Sequence, residues 1–362
     1  MELTEAEYWY WFTNIERVGR KTRSKLLDVF EDPRAVYYAS DYELSELVFL
    51  TSVQKNNILV KDERRIKDEY AGLKNQGVGF LYPKSLGYPE RLLYIPDSPH
   101  ALYYIGSPYI GGCPQAAIVG SRKCSDYGRS TAYNIAKEMA SYGIHVVSGL
   151  ACGIDGAAHR GCVDAEGITH AVLGCGVNVC YPKSNIELYM TIKKTGSIIS
   201  EYPPYTKPNH GFFPERNRII SGLSDIVIIV EAGEKSGSLI TVDCALEQGK
   251  EVYAVPGRIT DSMSAGCNAL IKNGAALYDN IDEVLDMFSI KYRSKNEPEC
   301  KKNNFLATDE KIVYASLCFE PKHISRIAAE TKMPVEDIMH AVLHLEMRHI
   351  IKQTANNYYV KI

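Results

Sequence analysis

Apolar positions change period along the chain, and each change predicts a different kind of element. Near the start, Tyr8-Trp9-Tyr10-Trp11-Phe12 leads into Ile15, Val18, Leu26, Leu27 and Phe30 at helical spacing, the recurrence of helices that turn one face to a core. Pro83, Pro89, Pro96, Pro99 and Pro108, with Gly106 and Gly111-Gly112, predict an extended connection over 83–112 after a helical module at 1–82. From Ala116 the texture becomes short continuous apolar runs, each ending in a glycine-bearing loop and followed by helical spacing. Ala116–Val119 ends in Gly120-Ser121-Arg122, His145–Val147 in Ser148-Gly149-Leu150-Ala151, and Thr169–Leu173 in Gly174-Cys175-Gly176. Ser197–Ser200, Ile226–Val230 and Glu251–Val255 repeat the pattern. Continuous apolar strands separated by helices predict a mostly parallel sheet covered on both faces. The stretch 113–290 is therefore expected to be an α/β, doubly wound core.

Beyond it, 291–304 is polar and contains Pro298, the composition of a linker. Three short helical patterns follow, at Asp309–Tyr314, His323–Ala328 and Val335–Leu345. Ile350–Lys352 and Tyr358–Val360 flank Asn356-Asn357 as a hairpin. Three helices and a hairpin over 305–362 predict a winged helix.

Charge narrows the function. The chain of 362 residues has a formal net charge of -3, which argues against indiscriminate coating of nucleic acid. By segment, 1–112 carries 14 basic and 16 acidic residues, 113–290 carries 15 and 19, 291–304 carries 5 and 2, and 305–362 carries 7 and 7. Any anion site must therefore be local. The acidic start, Met1-Glu2-Leu3-Thr4-Glu5, lacks the features of a signal peptide, and no apolar run is long enough for a bilayer. A cytoplasmic protein with no membrane contact is expected. Its ten cysteines are read as reduced thiols, and with no C-x-x-C pair no metal site is expected.

In an open parallel sheet, ligands bind beyond the carboxyl ends of the strands. There the sequence places Arg122, Lys183, Arg216, Arg218, Lys235 and Arg258, on glycine-bearing loops that open helices whose first N–H groups attract anions. No G-x-x-x-x-G-K-[ST] is present, and Val119-Gly120-Ser121-Arg122 stands where a dinucleotide fingerprint would begin, so no nucleotide cofactor is expected. The same loops carry Tyr127, Tyr181, Tyr202, Tyr205, Phe212 and Phe213. Rings interleaved with cations suit a single-stranded nucleic acid held by stacking and phosphate contacts; for any one ring, core packing is the competing role.

Several long motifs give the core, now recognisably Rossmann-like, a family resemblance. Ala117-Ile118-Val119-Gly120-Ser121-Arg122, Ser148-Gly149-Leu150-Ala151-Cys152-Gly153-Ile154-Asp155-Gly156-Ala157-Ala158-His159 and Phe213-Pro214-Glu215-Arg216-Asn217-Arg218-Ile219-Ile220-Ser221-Gly222 resemble signature blocks of the DprA/Smf (DNA processing protein A) family. Lys235-Ser236-Gly237-Ser238-Leu239-Ile240-Thr241, Ala254-Val255-Pro256-Gly257 and Gly266-Cys267-Asn268-Ala269-Leu270-Ile271 continue the likeness, which spans about 116 to 285. The resemblance implies a non-enzymatic protein that binds single-stranded DNA through its core, forms a homodimer, and helps load the RecA recombinase during natural transformation. Carried onto this chain, the implied DNA contacts are Arg122, Ser148, Gly149, Lys183, Asn185, Arg216, Arg218, Lys235, Ser236 and Ser238. For Asn217 and Arg218 an internal brace is the competing role.

Some motifs keep two readings. Val18-Gly19-Arg20-Lys21-Thr22 resembles half of a helix-hairpin-helix motif within the N-terminal (helix-hairpin-helix/SAM-like) module, though Arg17 replaces its earlier glycine; a plain inter-helix turn is the alternative. Asp155 and His159 have the i,i+4 spacing of an acid and base on one helix face, or serve the helix N-terminus and pack beside it. His340 and His344 repeat that spacing without a third ligand, as solvated surface residues would. The core also resembles nucleotide phosphoribohydrolases, but Thr241 and Val242 fall near the place of their catalytic acid. A transcriptional regulator led by the winged helix is disfavoured by Glu336 and Asp337 at the start of its reading helix.

Overall fold

The computed structural model describes residues 2–108, 111–290, 308–317, 321–347 and 350–361. The linker expected at 291–304 lies outside them. Two compact units result, 1–290 and 291–362.

The first unit opens with α1 (Glu5–Asn14), α2 (Arg20–Phe30), α3 (Pro33–Tyr38), α4 (Asp41–Glu46), α5 (Ser52–Leu59) and α6 (Glu63–Asn75). Three of these start at capping boxes, Thr4 with Glu7, Ser40 with Glu43 and Thr51 with Gln54, in which side chain and backbone satisfy each other's unpaired N–H groups. The sheet that follows contains β1 (Gly79–Leu81), β2 (Leu102–Gly106), β3 (Gln115–Val119), β4 (His145–Ser148), β5 (Thr169–Leu173), β6 (Ser197–Ser200), β7 (Ile226–Ile229), β8 (Glu251–Ala254) and β9 (Ala276–Leu277). Its helices are α7 (Asp126–Ser141), α8 (Ile154–Asp164), α9 (Ile186–Thr195), α10 (Phe212–Leu223), α11 (Leu239–Glu247), α12 (Ala265–Lys272) and α13 (Asp282–Met287).

Strand order is β1-β2-β6-β5-β4-β3-β7-β8-β9. Pairing from β6 through β9 is parallel throughout. The chain winds outward from β3 through β4 and β5 to β6, then returns to β7 on the other side of β3, so the doubly wound Rossmann-like core is present with its reversal between β4–β3 and β3–β7. Every residue of β3 through β7 is buried, which explains why their sequences are continuous apolar runs.

The stretch 83–112, expected as a connection, contributes a short 3-10 helix at Glu90–Tyr94 and the strand β2. β2 pairs antiparallel with both β1 and β6, Tyr103 facing Ser200. Its prolines flank the strand and leave 102–106 free to donate, which is why proline density alone hid it. The helices of 1–82 share one hydrophobic cluster with the sheet: Trp9, Trp11 and Phe12 belong with Tyr103, Ile105, Ala171 and Ile198.

The second unit has α14 (Thr308–Ser316), α15 (Ile324–Thr331) and α16 (Val335–Met347) with a three-stranded antiparallel sheet of β10 (Lys322–His323), β11 (Ile351–Ala355) and β12 (Tyr358–Lys361). Its own cluster includes Val313, Ile327, Ile338, Leu345 and Ile351. His344, expected as a solvated surface residue, lies 3.0 Å from Glu310.

Polar groups line the amino ends of the central strands. His159 Nδ1 lies 2.7 Å from Thr169 Oγ1, whose hydroxyl donates to Val146 O. His170 Nδ1 lies 2.6 Å from Ser197 Oγ, and its Nε2 is 3.3 Å from His145 Nδ1. Burial pushes His159 and His170 down to about 3, so both stay neutral. An unfolded histidine takes up its proton near pH 6.5, whereas these do so only far below it. The unfolded chain thus binds more protons between those limits, and stability is fully present above pH 6.5 and falls as pH drops. Each buried ring is expected to remove about 1.4 kcal/mol per pH unit below 6.5. Urea unfolding of the whole chain at pH 7, 6 and 5 checks this: His159→Asn should flatten the pH dependence by about that amount per unit, and an unchanged slope would refute it.

Candidate nucleic-acid interface

A cavity of about 640 Å³ opens where the strand order reverses, beyond the carboxyl ends of β3 and β7. Its walls are the loop after β3 (Gly120 to Lys123), the first turns of α10 (Phe213 to Asn217) and the loop after β7 (Gly233 to Ser238).

Close backbone approach builds these walls. Ser121 N donates to Glu231 O at 2.7 Å, tying the β3 and β7 loops together. Gly153 has φ +79, and any Cβ there would run into the carbonyls of Ser121 and Arg122. The Glu231 carboxylate accepts from Ser125 N and Ser125 Oγ, both at 2.7 Å, and so occupies the start of α7. That helix end is closed to an outside anion.

Below the cavity lies a buried charge pair. Arg216 Nη1 donates to Gly149 O at 2.8 Å and also to Val172 O, while its Nε donates to Asn217 Oδ1 at 3.2 Å. Asp155 accepts from Gly149 N at 3.1 Å. Burial pushes the Asp155 carboxyl up and the Arg216 guanidinium down, and each charge is the main counterweight to the other's burial. Asp155 therefore serves as the floor's counter-charge. His159, four residues on, bonds to Thr169 in the core.

The rim is different in kind. Arg122, Lys123 and Lys235 are exposed. The Arg122 guanidinium lies 4.9 Å from the Phe213 ring centre, and Tyr181 stacks on Phe213 at 5.5 Å. Tyr202 stacks on Phe212 at 4.2 Å and donates its hydroxyl to Glu215 at 2.9 Å. Ser236 and Ser238 place their hydroxyl oxygens 2.8 Å apart on the β7 loop.

Of the ten residues expected from sequence, the cavity brings together Arg122, Arg216, Lys235, Ser236 and Ser238. The other five lie elsewhere. Ser148 is fully buried and donates to Ile118 O at 2.6 Å. The Gly149 amide is taken by Asp155. Asn185 donates to Leu150 O and Ala151 O at 3.0 and 3.2 Å, bracing the β4 loop. Arg218 is buried and bonded to both oxygens of Glu201 at 2.8 Å. Lys183 is exposed on the 3-10 helix Lys183–Asn185, apart from the cavity lining. The motif blocks did not single out Lys123 and His210, which do line it; the adjacent cation pair Arg122-Lys123 was the available signal.

The sequence profile of the family described as DNA recombination-mediator protein A matches residues 79–289. The protein Smf of Escherichia coli (strain K12) is 34% identical over 317 residues, covering 85% of this chain and 84% of its own length. Among solved structures, DNA processing protein A from Streptococcus pneumoniae superimposes with a TM-score of 0.69 at 32% identity, over 81% of this chain and all of its own. DNA processing protein A from Helicobacter pylori, described for its single-stranded DNA binding mode, superimposes with a TM-score of 0.53 at 30% identity, over 59% of this chain and 95% of its own.

The floor makes one glycine indispensable. A Cβ on Gly149 would collide with the Arg216 guanidinium, whereas a Cβ on Gly72, inside α6, meets nothing. Gly149→Ala is expected to destabilise by about 1–3 kcal/mol through overpacking. Gly72→Ala should stabilise by about 0.5–1 kcal/mol through helix propensity. Denaturant midpoints of the two variants should move in opposite directions; equal shifts would remove the special role of Gly149.

Proposed function

From a chain that belongs to the DNA recombination-mediator protein A (DprA/Smf) family, we propose a protein that binds single-stranded DNA at the cavity between β3 and β7. The observation that carries this reading is the division of cations: Arg216 is buried and balanced by Asp155, while Arg122, Lys123 and Lys235 are exposed on the rim beside Phe213 and Tyr181. Only the exposed set keeps its charge available for phosphates. Arg122 and Lys235, joined by Lys123 and the hydroxyls of Ser236 and Ser238, take the backbone, and the rings offer faces to unpaired bases. The relative from Helicobacter pylori, whose structure is described for a single-stranded DNA binding mode, supports the same assignment here.

The protein acts by binding, with no cofactor, metal or catalysis of its own. Delivery of the strand to RecA during transformation follows as the finer role. A homodimer through the core, with Cys244–Gln248 and Asn268–Ile271 as contact regions, would join two rims on one strand and raise avidity. The exposed Leu246 on α11 supports that face. The winged-helix unit is accessory, since Glu336 and Asp337 open α16 and repel phosphate. No helix among the described residues is long and apolar enough to cross a membrane.

Two measurements test this. Oligonucleotide binding across a salt series should show Arg122→Ala weaker for every sequence, with the log–log salt slope reduced by roughly 0.7 for each phosphate that the side chain neutralises. Arg64→Ala, on α6, should bind like the parent, and Ser148→Ala should keep the parent salt slope. A folded Arg122→Ala with unchanged affinity and slope would move the interface elsewhere. Separately, a chain ending at 290 should retain most of its single-strand affinity; loss of most of it, with the core folded, would make the C-terminal unit a primary binder.

A further inference from the structure

A second concentration of charge lies away from the cavity, where α2 and α10 meet the end of β6. Arg218 uses only Nη2 on Glu201, giving 2.8 Å to each carboxylate oxygen. Its Nε and Nη1 are buried without a hydrogen-bond partner among the described residues, and so is the Nε of Arg23. Arg23 and Arg218 share Glu201 and His100 as electrostatic neighbours. The nearby Arg20 is matched with Asp97 at 3.3 Å. Burial and the surrounding guanidinium groups push His100 down to about 4, so it adds no charge at neutral pH, and its Nε2 lies 3.4 Å from Ser24 Oγ. One carboxylate thus answers two guanidinium groups, Arg218 in direct contact and Arg23 only through its longer-range field, leaving one positive charge in excess and three buried donors without a partner among the described residues.

Such a cluster is costly as it stands, because a buried charge needs a counter-charge and a buried N–H needs an acceptor. Tyr103 cannot supply the acceptor charge, since burial holds its phenol protonated. The missing partner must be both anionic and small. Glu201 keeps a side-chain exposure of 17%, which leaves the cluster open to exchange with solvent.

We propose that Arg23 and Arg218 form a binding site for a small inorganic anion of the chloride class, held by Arg23 Nε and by Arg218 Nε and Nη1. The ion completes the neutralisation that Glu201 begins. It joins α2, among the N-terminal helices, to α10, whose first two turns carry Phe213 and Arg216 at the cavity. The site is distinct from the strand-binding rim, which works through exposed cations and does not require it.

The test is thermal unfolding of the full chain at constant ionic strength, with sodium chloride replaced stepwise by sodium gluconate. Constant ionic strength removes general screening, so any difference reports a specific ion. The midpoint is expected to rise with chloride and saturate, by on the order of 3 °C. Arg23→Met keeps the stem and removes the excess charge, and should abolish that rise. Equal midpoints in the two salts for the parent, or the same rise in Arg23→Met, would overturn the proposal. Should Arg23→Met fail to fold, parent crystals grown in bromide decide: an anomalous peak against Arg218 Nε and Nη1 supports the site, and water there without anomalous signal overturns it.

Discussion

The arrangement of the core turns on one buried guanidinium. Arg216 bonds to carbonyls from the β4 loop and from β5, and Asp155 answers its charge from the first turn of α8. Those contacts fix where α10 enters the sheet edge, and α10 in turn positions Phe213 against Arg122. A close-packed floor of this sort tolerates no spare atom, hence Gly149. It also divides the charge of the cavity above: its deepest cation is already balanced by Asp155, and the cations left over sit at the mouth.

The fold was legible because burial on both faces writes itself into sequence as continuous apolar runs. β3 through β7 could be read that way residue by residue. β2 could not, because Tyr103 and Tyr104 sit among prolines and its partner β6 lies far along the chain; antiparallel pairing across such a distance leaves no local trace. The N-terminal helices were visible as helices, but their amphipathic period cannot say what they pack on. That Trp9 and Phe12 share a cluster with Ile198 is a tertiary fact.

The site was half legible for a related reason. Sequence can count cations at a sheet edge, but cannot say which of them face outward. Arg122 and Arg218 look alike in the motif blocks, yet one stands over an aromatic ring at the surface and the other is locked to Glu201. The difference arises from position: Arg122 stands on the exposed loop after β3, whereas Arg218 lies in Arg216–Leu223 of α10, a stretch buried at every residue. Ser148 ends β4 and Gly149 follows it, and their polar groups are used up inside the protein, on Ile118 O of β3 and on the Asp155 carboxylate. Residues whose backbone lies nearest a ligand edge are often spent on building it.

The pairing of β2 with β6 has a consequence for how the chain comes off the ribosome. Trp9, Trp11 and Phe12 are made well before Ile198, which belongs to the surface that covers them. Until that strand has emerged, the aromatic face of α1 stays at least partly uncovered, which is the kind of transient apolar exposure that makes a nascent chain prone to aggregate.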